Sequence, residues 1–264
     1  MHWIAMMRWH ENVFAIEYHW LQGRRVWREC PLSLEFVMKR KCLESSVVVF
    51  AGLLSGLLAF GGEPNDHFAG ESLPKDWTWK RENPHAWRLR DKGLEIKIEP
   101  GNMWGGKNDA QNVLLIPVAD TLLSSGVEVQ VSFANSPTRR WEQVDLVWYY
   151  RDSHMVKIGL ELEHGKNSVV MGREENDRTR TIKIIPLEVD QVTVRLKVTK
   201  GQVRGYYRLA DQDPWTEVGL CEEPKPVDGT LKPHVSIQCY QGDPDHPHWA
   251  RITGLQITGA SVGS

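Results

Sequence analysis

The feature that most constrains this chain is an alternation of apolar and polar side chains, repeated in segment after segment beyond Gly70. A period of two places successive side chains on opposite faces of an extended backbone, so each such segment reads as a strand with one apolar face. "GLEIKIEP" sets Leu94, Ile96 and Ile98 against Glu95, Lys97 and Glu99, and "GVEVQVSF" repeats the pattern with Val127, Val129, Val131 and Phe133. "VDLVWYY" and "VKIGLELE" flank the turn Arg151-Asp152-Ser153-His154 and read as a hairpin. "NVLLIPV" contains Pro117, which suits a strand end or an edge. "RTIKIIPLEV", "VTVRLKVT" and "VRGYYRLA" follow, the last two joined at Lys200-Gly201-Gln202, and "HVSIQCYQ" and "ARITGLQITG" close the chain. About ten short strands at regular spacing, with no amphipathic helix longer than a turn or two, predict an all-β, two-sheet antiparallel sandwich of jelly-roll type. Each strand gives one face to a core between the sheets; the other face is wet or lines a groove.

The alternation does not extend to the N-terminus. From Met38 the chain reads "MKRKCLESSVVVFAGLLSGLLAFGGEP", a basic start, an apolar run from Val47 to Phe60, and small residues Ala59 and Gly61 around Phe60. That is the order of a secretory signal. The run falls short of the roughly 20 apolar residues that span a bilayer, so no stable membrane span is expected. Residues 1–37 precede it and hold four tryptophans (Trp3, Trp9, Trp20, Trp27) without a clear amphipathic period. The expected organisation is a leader over 1–37 upstream of a true start at Met38, a signal peptide over 38–61, and one sandwich over 62–264. A secreted or periplasmic location follows from it. Two cysteines then remain, Cys221 and Cys239; they could form one disulfide, or Cys239, within an apolar strand pattern, is a buried thiol.

Composition removes several function classes. The formal net charge is −2 and charged residues make up 25%, with no basic run interleaved with aromatics, so nucleic acid is not an expected partner. HExxH and phosphate-loop patterns are absent. The unusual count is tryptophan, at 12. Its large apolar face and single N–H donor suit both sandwich cores and sugar stacking. Trp148 shares the apolar set of Val144, Leu146 and Tyr150 and reads as core, whereas Trp215 and Trp249 lie beside turns. Trp104 differs, sitting in a glycine-rich polar loop, "GNMWGGKNDAQN".

The order of segments resembles the concanavalin A-like sandwich superfamily. Carrying the resemblance are "WTWKRENPHAWRLRDKGLEIKI" (Trp77 to Ile98), "NMWGGKNDAQNVLLIPV", the hairpin "VDLVWYYRDSHMVKIGLELEHG", "VTVRLKVTKGQVRGYYRLADQDPWTEVG" and "PHVSIQCYQGDPDHPHWARITGLQI". Within the superfamily the chain is similar to a bacterial family labelled "regulation of enolase protein-like" and to the C-terminal sandwich module of β-xylosidases. It departs from the pattern at Arg208-Leu209, at Asp213-Pro214, and at Ile252 and Leu255, which replace aromatics. The resemblance implies a concave sheet face that binds carbohydrate, with the loop of Trp104 near the groove. It also implies that calcium is a possible guest. Asp243, Asp245, His246 and His248 in "GDPDHPHW" and Asp211 and Asp213 in "ADQDP" offer oxygens and nitrogens, but proline-rich turn chemistry explains both, so no resident metal or other cofactor is expected.

The stretch from His154 to Val170 carries the chemistry. Val156, Ile158, Leu160 and Leu162 share one face; Lys157, Glu161 and Glu163 share the other. Neighbours at i and i+2 lie about 6.5–7 Å apart at the backbone, within reach of the roughly 5–9.5 Å that glycosidase carboxylates need. Sandwich glucanases, however, use a longer E-x-D-x-x-E run, and Glu161-Leu162-Glu163-His164-Gly165 lacks the third acid. The expected ligand-binding set is Trp104 for stacking, with Tyr149, Lys157, Glu161 and Arg195 meeting hydroxyls. Three readings stand: a non-catalytic carbohydrate binder, a glycoside or keto-glycoside hydrolase using Glu161, and a structural or protein-interaction domain.

Overall fold

The computed structural model describes residues 4–10, 13–19, 67–68, 70–225, 229 and 231–260. The chain divides into two compact units, Met1–Leu58 and Ala59–Ser264. In the first, β1 (Ile4–His10) and β2 (Val13–His19) pair antiparallel as a hairpin. The rest of residues 1–37, expected as a leader, and all of residues 38–61, expected as a signal peptide, lie outside the described residues.

The second unit is the expected sandwich, two antiparallel sheets of seven strands each. The first sheet runs β11 (Arg178–Pro186), β10 (Lys166–Glu175), β9 (His154–Glu163), β8 (Gln143–Arg151), β15 (His234–Tyr240), β6 (Val113–Pro117), β3 (Thr78–Lys80). The second runs β14 (Thr216–Glu222), β13 (Gln202–Arg208), β12 (Gln191–Thr199), β7 (Val127–Ala134), β16 (Trp249–Gly259), β5 (Gly93–Lys97), β4 (Trp87–Arg90). The helix described in this unit, α1 (Asp120–Ser125), is less than two turns long. No helix among the described residues is long and apolar enough to cross a membrane.

The core is what the alternation dictates. Leu94 and Ile96 of β5, Val129 and Val131 of β7, and Val194 and Leu196 of β12 meet Leu146 and Trp148 of β8, Val156, Ile158 and Leu160 of β9, and Val235 and Ile237 of β15, all buried. Trp148 is core, and its Nε1 donates to Glu223 Oε1 at 2.6 Å, so a buried indole N–H keeps a partner. Pro117 ends β6, where it interrupts no further pairing with β15.

Four strands of this unit show no clear period of two. β3 and β4 span three and four residues, too short to show a period. The Val169-Val170-Met171 run of β10 is apolar without alternation because both faces of that strand are covered. β14 carries a register shift opposite Gly205/Tyr206 of β13, which breaks its alternation. On the side where β11 and β14 form the outer strands, the sheets meet: a Cβ on Gly219 would fall 2.7 Å from Ile182 Cγ2. Cys221 on β14 and Cys239 on β15 belong to different sheets and are free, buried thiols, so no bridge links them. Burial pushes Cys221 up to about 11 and Cys239 well above the usual thiol range, which leaves both as inert core residues.

Candidate functional site

The face of the first sheet that points away from the core is built from alternate residues of five strands. β8 contributes Gln143, Asp145, Val147 and Tyr149; β9 contributes Met155, Lys157, Gly159 and Glu161; β10 contributes Ser168, Val170, Gly172 and Glu174. β15 adds Ser236, Gln238 and Tyr240, and β6 adds Val113. Wet strands would leave these side chains exposed, yet all of these residues except Gly159 and Gly172 are named among the buried side chains of the molecule. The cover is the loop between β5 and β6. Met103 and Ala110 from that loop close over Val113, Val147, Tyr149, Met155 and Tyr240 and make a second, smaller hydrophobic cluster outside the sandwich.

The loop is held shut by its own polar groups. Asn102 N donates to Asp109 Oδ1 at 2.8 Å, Asp109 N returns to Asn102 O at 3.0 Å, and Asn102 Nδ2 donates to Trp104 O at 2.7 Å. Two glycines let the loop and its floor interlock. A Cβ on Gly172 would lie 2.5 Å from Trp104 Cη2, so the edge of the indole ring occupies the slot that the missing side chain leaves. A Cβ on Gly159 would lie 2.1 Å from Val144 O and 2.2 Å from Asp145 Oδ1, so the Asp145 carboxyl rests on bare backbone. Register follows suit: β10 and β11 shift between Met171 and Gly172, where the ring enters.

Lys157 is the charge centre of the floor. Its Nζ donates to Gln143 Oε1 and to Glu161 Oε2 (3.0 Å), and Asp145 Oδ2 lies 3.7 Å away. The ammonium also sits 5.0 Å from the centroid of the Trp104 ring, at cation–π distance. Burial alone would lower this lysine's pKa, but Asp145 and Glu161 more than offset it and hold the pKa above the usual lysine value. Asp145 responds in the opposite sense. Complete burial pushes its pKa up to about 6 against the pull of Lys157. Glu174, buried beneath the loop, is pushed up to about 7 although Gly105 N donates to its Oε2 at 3.1 Å.

Beside the loop the face opens into a cleft of about 320 Å³ lined by Trp104, Trp141, Gln143, Lys157, Glu161 and Glu163 among others, with Val170 and Ile184 as its apolar wall. Trp141 stands on the rim, 47% exposed, with a left-handed backbone (φ 69°) that a bulky residue rarely adopts. Two hydrogen bonds hold it there: Trp141 N donates to Leu162 O at 2.9 Å, and Gln143 Nε2 donates to Trp141 O at 2.8 Å. The Arg140 guanidinium lies 4.5 Å from the Trp141 ring centroid and 3.6 Å from Glu163 Oε1.

The cleft therefore gathers Trp104, Lys157 and Glu161 from the expected set and leaves two residues elsewhere. Tyr149 lies on the expected face but beneath the loop, where its hydroxyl accepts from Lys80 Nζ (3.0 Å) and donates to Asp152 Oδ1 (2.8 Å). Arg195 belongs to the other sheet. Its guanidinium pairs with Glu128 (3.0 Å) and stacks on Trp215 at 3.8 Å, on the far side of the core. Alternation sorts residues into inward and outward but is silent on which sheet a strand joins; that is why Arg195 was grouped with residues of a different surface. Trp141 precedes β8 in a left-handed turn, so the alternation that sorts Gln143 and Asp145 does not reach it and nothing in the sequence pattern places it at the cleft. The aspartate- and histidine-rich turns are occupied by turn contacts. Asp243 accepts from Asp245 N (3.0 Å) and meets His246 Nδ1 (3.0 Å), His248 Nε2 meets buried Glu142 (2.7 Å), and Asp213 accepts from Ala210 N (2.9 Å). Among the described residues no group of three or more His, Cys, Asp or Glu is arranged to hold a metal.

Comparison with known proteins supports this architecture. The sequence profile of the β-xylosidase C-terminal concanavalin A-like domain matches residues 65–225, more than half of the chain and the second of the two likenesses read from the sequence. No curated protein sequence matches. Among solved structures, the GH43 protein BlXynB of Bacillus licheniformis superposes with a TM-score of 0.65 at 17% identity, covering 74% of this chain and 39% of that one. Xylan β-1,4-xylosidase of Bacillus halodurans gives 0.62 at 15% identity, covering 75% and 40%. A functionally unknown protein of Saccharomyces cerevisiae gives 0.56 at 17% identity, covering 70% and 96%. These identities establish a shared fold. The chain spans about two fifths of the GH43 proteins it matches.

Proposed function

The chain belongs to the family of β-xylosidase C-terminal concanavalin A-like domains, and from that premise we propose that it is a non-catalytic sandwich that binds carbohydrate in the cleft between Trp104 and Trp141. The observation that carries the reading is the pairing of two tryptophans with a fixed polar floor. Trp104 forms a wall seated in the Gly172 slot, and Trp141 offers an exposed ring at the rim. Glu161 and Gln143, held in place by Lys157, supply directional polar contacts between them. Apolar stacking surface with a few convergent polar groups is the usual make-up of a small-ligand site, and this cleft lies at the lower end of the roughly 300–1,000 Å³ such sites span. That size suits one or two sugar rings. One protein of similar fold is a xylan β-1,4-xylosidase, which makes xylo-oligosaccharides the first probes.

The test is a glycan array followed by calorimetric titration of the full chain with the best ligand. Trp141→Ala and Trp104→Ala should each weaken binding at least about tenfold, the loss of a stacking contact. Absence of binding to every glycan, or binding untouched by both changes, overturns the reading and favours a structural or protein-interaction role. A second reading rests on Glu161 and Glu163 both lining the cleft: a hydrolase, favoured only if xylo-oligosaccharides are cleaved and Glu161→Gln abolishes the cleavage. We further propose that the domain acts outside the cytoplasm, on the strength of the signal-like order of residues 38–61. N-terminal sequencing of native protein beginning near Gly62 is the expected result; a start well upstream of it refutes export by this route.

A further inference from the structure

We infer that the cleft selects neutral sugars and rejects acidic ones, because carboxylates outnumber cations around its floor and the floor's one ammonium is already engaged within the protein. The inference rests on the carbohydrate-binding reading above and adds a ligand class to it.

An ammonium has three protons and no lone pair. That of Lys157 is 3% exposed and faces Gln143 Oε1, Glu161 Oε2 at 3.0 Å and Asp145 Oδ2 at 3.7 Å, with the Trp104 and Tyr240 rings 5.0 and 5.8 Å away. It faces inward contacts on every side and is a positioning residue for Glu161. Two of the lining amides are also engaged: Gln143 Nε2 donates to Trp141 O at 2.8 Å and Asn102 Nδ2 to Trp104 O at 2.7 Å. Arg140, the cation at the rim, is drawn to Glu163 Oε1 and the Trp141 ring.

Acceptors are treated differently. Glu163 Oε1 meets His164 Nδ1 at 3.1 Å, but its Oε2 is buried with no hydrogen-bond partner. Glu161 offers its remaining oxygen beside it, since Lys157 takes Oε2. Both carboxylates line the cleft, and sugar hydroxyls have protons to give them. Beneath them Asp145 adds a third carboxyl to the one ammonium. A uronic acid brings a carboxylate that has no proton to give and meets like charges in a site half shielded from water, where such contacts are costly.

The experiment compares three ligands of equal length on the full chain at pH 7: a linear xylo-oligosaccharide, the same oligosaccharide bearing one glucuronic acid branch, and that branched form after reduction of its carboxyl group to the neutral alcohol. The acidic form should bind at least about tenfold more weakly than its reduced counterpart, and the gap should widen at low salt. Because the two branched ligands share a shape, the gap isolates charge from sterics. Glu163→Gln, at the cleft edge and outside the Lys157 cluster, should narrow the gap by turning a charged acceptor into an amide. Equal or tighter binding of the acidic ligand, or a gap that Glu163→Gln leaves unchanged, overturns the selectivity while the binding function stands. Failure of all three ligands to bind overturns the binding function and the selectivity together.

Discussion

The two outward faces of this sandwich start from the same sequence rule and end as opposite surfaces. On the second sheet, alternate polar residues form a solvent-facing ladder: Arg195 with Glu128 and Gln130, Gln130 with Gln256, Ser132 with Thr193, and Arg204 with Glu217. On the first sheet, residues of the same parity are sealed beneath the β5–β6 loop, and their charges compensate one another in a dry environment. Polar spacing alone does not distinguish a solvated ladder from a buried cluster. What separates them is a cover donated by a segment that is itself irregular, and the physical consequence is dielectric. A charge pair in water contributes little; the same pair under a lid becomes indispensable once formed, because removing one partner strands the other.

That contrast can be broken most sharply at Lys157. Replacing it by methionine strands Asp145 and Glu161 and should cost about 3–5 kcal/mol in urea unfolding. Next in size is Gly172→Ala, whose methyl would displace the Trp104 ring from 2.5 Å. A loss of about 1–3 kcal/mol is expected, with a change in tryptophan fluorescence. If stability falls and fluorescence does not change, the ring is not seated as described. A third test uses pH. Asp145 has a folded pKa raised to about 6 from 3.8, so the folded state holds its proton more tightly and the associated stability is present at low pH and lost as pH rises through that window. Asp145→Asn lacks this loss, so its stability relative to the parent should climb by roughly 2 kcal/mol between pH 4 and pH 7. A flat difference would place Asp145 in contact with water. The smallest effect belongs to the open face: Arg195→Met should cost less than about 1 kcal/mol, with a dependence on salt. An Arg195 effect as large as that of Lys157 would erase the distinction between the faces.

Much of the fold could be read from alternation, because the core needs only one bit of information per residue, in or out. Val156, Ile158 and Leu160 on one side of β9 and Lys157 and Glu161 on the other follow from it directly. The site was legible in part for the same reason, and Trp104 stood out as an aromatic in a polar loop. Three things were not legible. Which sheet holds a given strand depends on crossovers, so Arg195 could not be separated from Lys157. Whether an outward residue is wet depends on where the fifteen-residue loop between β5 and β6 folds, and "GNMWGGKNDAQN" shows no period that would reveal it, so Tyr149 looked available. The role of Gly159 as the seat of the Asp145 carboxyl depends on cross-strand register, Asp145 opposite Gly159, which alternation leaves open.

The covering loop also has a place in time. Its anchors lie near its own ends, with Gly242 N on Glu99 O and Asn112 N on Arg81 O. Its landing surface, however, is assembled from β8, β9, β10 and β15, which come together only once long stretches of chain have paired. The lid lands on a sheet assembled from four strands, so changes within it are expected to raise the unfolding rate more than they slow folding, as chevron kinetics would read. By the same logic, the backbone amides of the loop are expected to exchange with solvent before those of β8 and β9, measurable by native-state hydrogen exchange.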